Sequence, residues 1–196
     1  MSDHKSYHHK NLPAELLRLG LEAIEQEGTE NLSLRALSER AGVSKTAPYR
    51  HFTDKDDFLA ALADEGYRLL YEALQASTPE KSGRTLPALG RAYFAFALER
   101  PALYRLMTSP IVCVAGERGR KPESDEDNAA PGWPRKALLF LAECLERDII
   151  LQGEKPELNP DAAAAAWAYI HGLVRIKIDG RSEEHTSELQ SRQVMS

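Results

Sequence analysis

The stretch AGVSKTAPYRHFTDKDDFL, Ala41–Leu59, decides the fold. It begins as the end of one short helix and the start of another. Gly42 permits a sharp turn that would strain a residue carrying a Cβ, and Val43 is placed to plug the gap between the two helices. Ser44 is expected to N-cap a helix ending near Phe52. Thr53 is expected to cap the next helix, with Asp56 three residues on in the spacing of a capping box. That long helix would run through Phe58, Leu59, Leu62, Leu69, Leu70 and Leu74 to about Ser77. Upstream, Ser33 can cap a short helix with Leu34, Leu37 and Ala41 facing inward. Before it, Pro13 opens a helix whose Leu16, Leu19, Ala23 and Ile24 share one face and which Gly28 is expected to stop. Two short helices around a glycine turn define a helix-turn-helix.

The rest of the chain continues the helical period, and no run shows the alternation of a strand. Thr78–Arg84 reads as a loop, Thr85–Glu99 and Pro101–Thr108 as helices, Gly116–Pro131 as a mobile loop, and Pro134–Leu151 as a helix. A last helix is expected over Pro160–Ile178, capped by Asn159 and ended by Gly180. The chain is therefore expected to be all-α. Its organisation reads as a disordered N-terminus (1–11), a three-helix head (12–54), a C-terminal helical regulatory and dimerisation domain (55–180), and a tail (181–196). The tail contains RSEEHTSELQS, which resembles the in-frame translation of a sequencing-library adapter, so 181–196 is expected to be non-native.

Composition narrows the function. The 196 residues are 42% hydrophobic and can bury a core, and no stretch is apolar enough to predict a membrane helix. The first ten residues lack the apolar segment of a signal peptide. Two scattered cysteines, Cys113 and Cys144, suit a reducing cytoplasm and make neither a disulfide framework nor a zinc site. The net charge is −5, yet Ser33–Lys55 holds five basic residues (Arg35, Arg40, Lys45, Arg50, Lys55) against two acids (Glu39, Asp54), a window of +3 that also holds His51. Such a window on a helix-turn-helix suits the phosphates of DNA. The N–H groups at helix starts near Ser33 and Ser44 can face phosphates. Arg35 and Lys45 add charge, and Lys45, Thr46 and Ala47 lie where a recognition helix meets base edges.

No nucleophile elbow, phosphate-cradling glycine loop or metal-ligand spacing is present, so neither an enzyme nor a cofactor is expected. His4, His8 and His9 read as part of the tail-like N-terminus, and the acidic run Glu123–Asp127 as a solvated loop. Phe52 and Phe58 read as core. Tyr93, Phe94, Phe96, Tyr104, Trp133 and Phe140 fall at helical spacing and serve either a core or an apolar ligand cavity. Trp167 and His171, four residues apart, share a helix face and are either a structural pair or ligand contacts.

Ala41–Leu59 resembles the signature of the tetracycline-repressor family: a Gly-Val-Ser turn, a Tyr-x-His-Phe end to the recognition helix, and a lysine opening the long fourth helix. The resemblance covers Leu12 to about Tyr71. It extends to Trp167, His171 and Gly172, which match the Trp-x-x-x-His-Gly pattern of one C-terminal subgroup. It implies a homeodomain-like head joined by a long fourth helix to a ligand-binding and dimerisation domain. By motif position, Tyr49, His51 and Lys55 would contact phosphates, while Thr46, Ala47 and Arg50 approach bases. Pro48 departs from the bulky aliphatic residue frequent there. Tyr49 has packing as its alternative role. The implied partners are a double-stranded operator, a small-molecule effector and a second copy of the chain, with no membrane. Repressor, activator and non-transcriptional DNA binder all share this head.

Overall fold

The computed structural model describes residues 11–78, 85–109, 132–153 and 160–194. His4, His8 and His9, the expected loop over 116–131 with its acidic run, Cys113, most of the loop at 78–84, and the expected cap Asn159 lie outside these residues. Among the described residues every element is helical: α1 (Leu12–Asn31), α2 (Leu34–Arg40), a single 3-10 turn at Pro48–Arg50, α3 (Lys55–Ala76), α4 (Leu86–Glu99), α5 (Pro101–Met107), α6 (Trp133–Leu151) and α7 (Pro160–Val194).

The apolar spacing of α1 buries Leu12, Leu16, Leu19, Ala23 and Ile24. Gly28 breaks the regular helix as expected, its backbone leaving helical geometry within α1. At φ +80° it kinks α1, and one more turn follows, with the Asn31 side-chain amide donating to the Glu27 carbonyl at 2.7 Å. Ser33 caps α2 as expected, its hydroxyl accepting from the Ala36 N–H. The start of α3 lies one residue later than the hydroxyl pattern suggested. Asp54 accepts from the Asp57 N–H at 2.8 Å, and the Asp57 carboxylate accepts from the Thr53 N–H at 2.7 Å. A carboxylate also complements the positive end of the helix dipole, which a threonine hydroxyl does not. Nor does α7 stop at Gly180. That glycine is not among the positive-φ glycines of the described residues, and without a left-handed residue to end it the helix continues to Val194.

Two compact units emerge. One holds the described residues up to Tyr67 together with Ala102–Ser109; the other holds Arg68–Pro101 and the residues from Gly132 onward. The first unit therefore extends beyond residue 54 into α3. Its core joins Leu16, Ile24, Phe58 and Leu62 with Leu103 and Tyr104 of α5. Gly20 gives Phe58 room, since a Cβ there would lie 2.9 Å from the ring. The Glu25 carboxylate accepts the N–H groups of Ala102 (3.3 Å) and Leu103 (2.9 Å) at the start of α5. The Tyr67 hydroxyl donates to the Met107 carbonyl at its end.

In the second unit α4, α6 and α7 pack around Leu89, Tyr93, Ala97, Ala137, Val174 and Ile178. Cys144 is buried there, and burial pushes its thiol pKa up, which makes it an inert apolar residue. One turn along α6, Asp148 is 1% exposed. Its carboxylate accepts from the Thr85 N–H (2.9 Å), the Thr85 hydroxyl (2.9 Å) and the Leu86 N–H (3.0 Å), and so caps α4 from another helix.

Burial opposes the charge on Asp148, but the hydrogen bonds from Leu86 and Thr85 outweigh it and hold the carboxyl below its usual pKa. A carboxylate whose pKa is depressed by folding stabilises the fold above its unfolded pKa of about 4 and loses that contribution as pH falls through the folded value. Asp148→Ala should lower the unfolding free energy at pH 7 by about 2–3 kcal/mol, because three buried donors lose their acceptor. The deficit relative to wild type should shrink below about pH 4. Denaturant titrations at pH 7 and pH 3 check both expectations.

Candidate functional site

The turn after α2 is built by hydrogen bonds that only a left-handed residue allows. The Gly42 N–H donates to the Glu39 carbonyl and the Val43 N–H to the Ser38 carbonyl, with Gly42 at φ +69°. This pair of bonds is a Schellman motif, and the positive φ is why glycine stands there. Ser38 is buried, and its hydroxyl bonds back to the Leu34 carbonyl.

Of the segment expected as a helix from Ser44 to Phe52, only Pro48–Arg50 is helical, as the 3-10 turn, with a separate turn at Ser44–Ala47 before it. An α-helix would need the residue-48 N–H to reach the Ser44 carbonyl. Pro48 has no N–H, so Ser44 accepts from the Ala47 N–H at 2.9 Å, three residues on, and Pro48 itself accepts from His51. The Ser44 hydroxyl caps nothing; it lies 3.3 Å from the Thr46 hydroxyl. Pro48 is also the fully buried member of this segment, whereas Val43, expected to plug the gap, is only half-buried.

The remaining candidates are solvent-facing. Ser33, Arg35, Ser44, Lys45, Thr46, Arg50 and His51 are exposed and Ala47 is half-buried. Tyr49 is 55% exposed, while Phe52 and Phe58 are core, their rings edge-to-face at 4.9 Å. Tyr49 is therefore a surface aromatic rather than a packing residue. Lys55 is half-buried, and its ammonium donates to the Glu30 carbonyl at 3.0 Å, tying the start of α3 to the end of α1.

Glu39 is the residue the sequence pattern did not single out. Its carboxylate lies 3.6 Å from Arg35 Nε and 3.5 Å from Lys45 Nζ. The Arg35 pairing is an ordinary helical i,i+4 contact. The Lys45 pairing crosses the Gly42 turn and depends on its shape. Both pairs are exposed and each contributes less than about 1 kcal/mol, so they orient the two cations without locking them.

The second unit contains a cavity of about 220 Å³. Leu74 from α3, Leu89, Gly90 and Tyr93 from α4, Leu141 from α6 and Trp167 from α7 line it. Of the expected ligand residues, the structure brings together Tyr93 and Trp167, whose rings meet edge-to-face at 5.3 Å. The others lie elsewhere. Trp133 and Phe140 flank Tyr71 at 5.8 and 5.6 Å, with Lys136 over the Trp133 ring at 4.0 Å. Phe96 is buried in the packing of α4, and Tyr104 is fully buried in the first unit. His171 is half-buried one turn beyond Trp167, and burial, then the neighbouring Arg175, lower its pKa. Four leucines and a glycine supply half of the lining, and nothing in their spacing distinguishes them from core.

An all-helical chain with a glycine-turned helix-turn-helix in one unit and an apolar cavity in another has the layout of a two-part bacterial regulator. Residues 16–62 match the model of bacterial regulatory proteins of the tetR family, and residues 86–194 match that of the tetracyclin repressor-like C-terminal domain. The chain belongs to the tetracycline-repressor family. It is 33% identical over 84 residues to an uncharacterised helix-turn-helix transcriptional regulator, YobS, of Bacillus subtilis, a match covering 42% of this chain and 44% of that protein. The match thus spans less than half the length of that curated relative. A Rhodococcus protein of unknown function is similar in structure, with a TM-score of 0.66, 28% identity and coverage of 90% of this chain and 87% of that one. The transcriptional regulator FadR of Bacillus subtilis, solved in complex with stearoyl-CoA, superimposes with a TM-score of 0.62 at 16% identity, covering 86% and 88% of the two chains.

If Pro48 is what keeps residues 44–51 from forming an α-helix, Pro48→Ala restores the missing donor. Carbon secondary chemical shifts over 45–51 should then move toward α-helical values. Unchanged shifts would assign the 3-10 geometry to the surrounding packing.

Proposed function

We propose that this chain is a DNA-binding transcriptional regulator, a repressor that reads a two-fold operator as a homodimer and is released by a small molecule. The observation that carries the reading is the face formed by exposed Arg35, Lys45, Thr46, Tyr49, Arg50 and His51 around the Gly42 turn. Phosphate contacts position such a head, and base-edge contacts give it sequence preference. Tyr49, His51 and Lys55 serve the first role, with the N-termini near Ser33 and Ser44, and Thr46, Ala47 and Arg50 the second. A single head reads few base pairs, so useful specificity calls for two heads on a palindromic site.

Dimerisation draws support from α7. Tyr169, Leu173 and Ile176 are 72%, 41% and 73% exposed and follow one another at four and three residues, the spacing of a helix-packing stripe. Effector binding draws support from the apolar cavity and from the ligand in the FadR structure. The effector can shift the operator-binding state only by its difference in affinity for the two states. Placement of the C-terminal half in the Trp-x-x-x-His-Gly subgroup rests on Trp167, His171 and Gly172 alone. Among the described residues no helix is long and apolar enough to cross a membrane, and an operator partner puts the protein in the cytoplasm.

Selection of operators from a random duplex pool, followed by fluorescence anisotropy, tests the reading; failure to enrich any sequence would sink it. Tyr49→Ala should weaken operator and unrelated duplexes alike, by about tenfold, since it removes a contact without base information. Glu39→Gln should act in the opposite sense. Freed of their partner, Arg35 and Lys45 should tighten binding about two- to fivefold at low salt and steepen its salt dependence. Anisotropy titrations between 50 and 200 mM salt, a range over which such contacts weaken by orders of magnitude, check both variants.

A further inference from the structure

We propose that the second-unit cavity binds an uncharged, mainly apolar molecule of one to two rings, and that Gly90 is the residue that keeps room for it. This deepens the effector reading above by naming the ligand's chemical class. Among the described residues that line the cavity, none carries a charge; the polar atoms are those of Tyr93, Trp167 and Tyr169. A carboxylate or phosphate placed there would meet an apolar lining that offers no counter-charge. The volume of about 220 Å³ compares with about 150 Å³ for an apolar protein cavity that admits benzene. It therefore suits a ligand somewhat larger than a single ring. Tyr93 and Trp167, set edge-to-face on one wall, offer the geometry an aromatic ring prefers.

Gly90 supplies the independent argument. It lies inside α4, where a glycine costs about 0.8–1 kcal/mol relative to alanine. Two needs commonly offset that cost. One is a left-handed backbone, which Gly90 does not have. The other is a close neighbour. Gly20 and Gly66 meet that second need, since a Cβ there would come within 2.9 Å of Phe58 and 2.7 Å of Met107. A Cβ at Gly90 would meet nothing within 4 Å, as at Gly172 and Gly180 of α7, but of these three helical glycines Gly90 is the one that lines the cavity. Neither the fold nor the backbone requires the missing side chain, and a side chain at position 90 would enter the space of the cavity. A larger residue at position 90 fills the cavity without displacing the protein around it.

The test uses the full chain without DNA, with naphthalene and indole as apolar probes and decanoate as a charged one. Isothermal calorimetry and thermal unfolding read binding. Saturable binding of a ring compound with a rise in Tm, and decanoate at least tenfold weaker, is the expected result. Gly90→Leu should keep or raise the ligand-free Tm and bind the ring compounds at least tenfold more weakly. Gly90→Ala, which adds one methyl group, should fold in any case and fall between the two. The proposal is overturned if neither ring compound binds saturably, if decanoate binds as well as they do, or if both Gly90 variants bind like wild type. Because no DNA is present, a chain that binds naphthalene but selects no operator would overturn the repressor reading and leave this one standing.

Discussion

The first N–H groups of a helix have no partner within it, and where a helix start is buried something else must accept them. Two carboxylates meet this constraint here. Glu25 on α1 accepts the N–H groups that open α5, 77 and 78 residues away, and Asp148 on α6 accepts those that open α4, more than 60 residues away. Each is a charge-assisted cap supplied in trans, placed at the positive end of a helix dipole. The position of α4 matters most, because Leu89, Gly90 and Tyr93 form one side of the cavity. The Asp148 cap therefore helps to set the shape of the place where a ligand would sit.

The segment proposed to face DNA is shaped by two residues that work through the backbone. Gly42 admits a positive φ, so the Schellman bonds close α2 and reverse the chain. Pro48 removes one donor, so no α-helix forms over 44–51; a single 3-10 turn at Pro48–Arg50 stands there with the proline buried. Glu39 lies between Arg35 and Lys45 and lowers the net positive charge presented there.

The glycines divide by the reason for the missing side chain. Gly42 needs the backbone freedom, Gly20 and Gly66 need the close approach of a neighbour, and Gly90 has neither need. Gly180, which resembled a helix terminator, has no such role because its backbone is not left-handed and α7 runs through it. The same residue type thus carries different physical meanings, and only φ and the surrounding atoms separate them.

By itself the sequence determined the helical class, the helix-turn-helix and its glycine turn, the Ser33 cap, and the apolar faces of α1 and α3. All of these are local, set within a few residues by periodicity, capping chemistry and backbone freedom. It also marked the basic window and left Tyr49 open between surface and core. Tertiary structure decided what depends on distant partners. It put Tyr49 on the surface and carried the Lys45–Glu39 pairing across the turn. It made Asp148 and Glu25 caps for helices far along the chain, and it separated Tyr93 and Trp167 at the cavity from Trp133, Phe140 and Tyr104, which pack elsewhere. Aromatic spacing along a helix shows which side chains face inward. Whether they meet protein or open space depends on the helices packed against them, and that is a property of three dimensions.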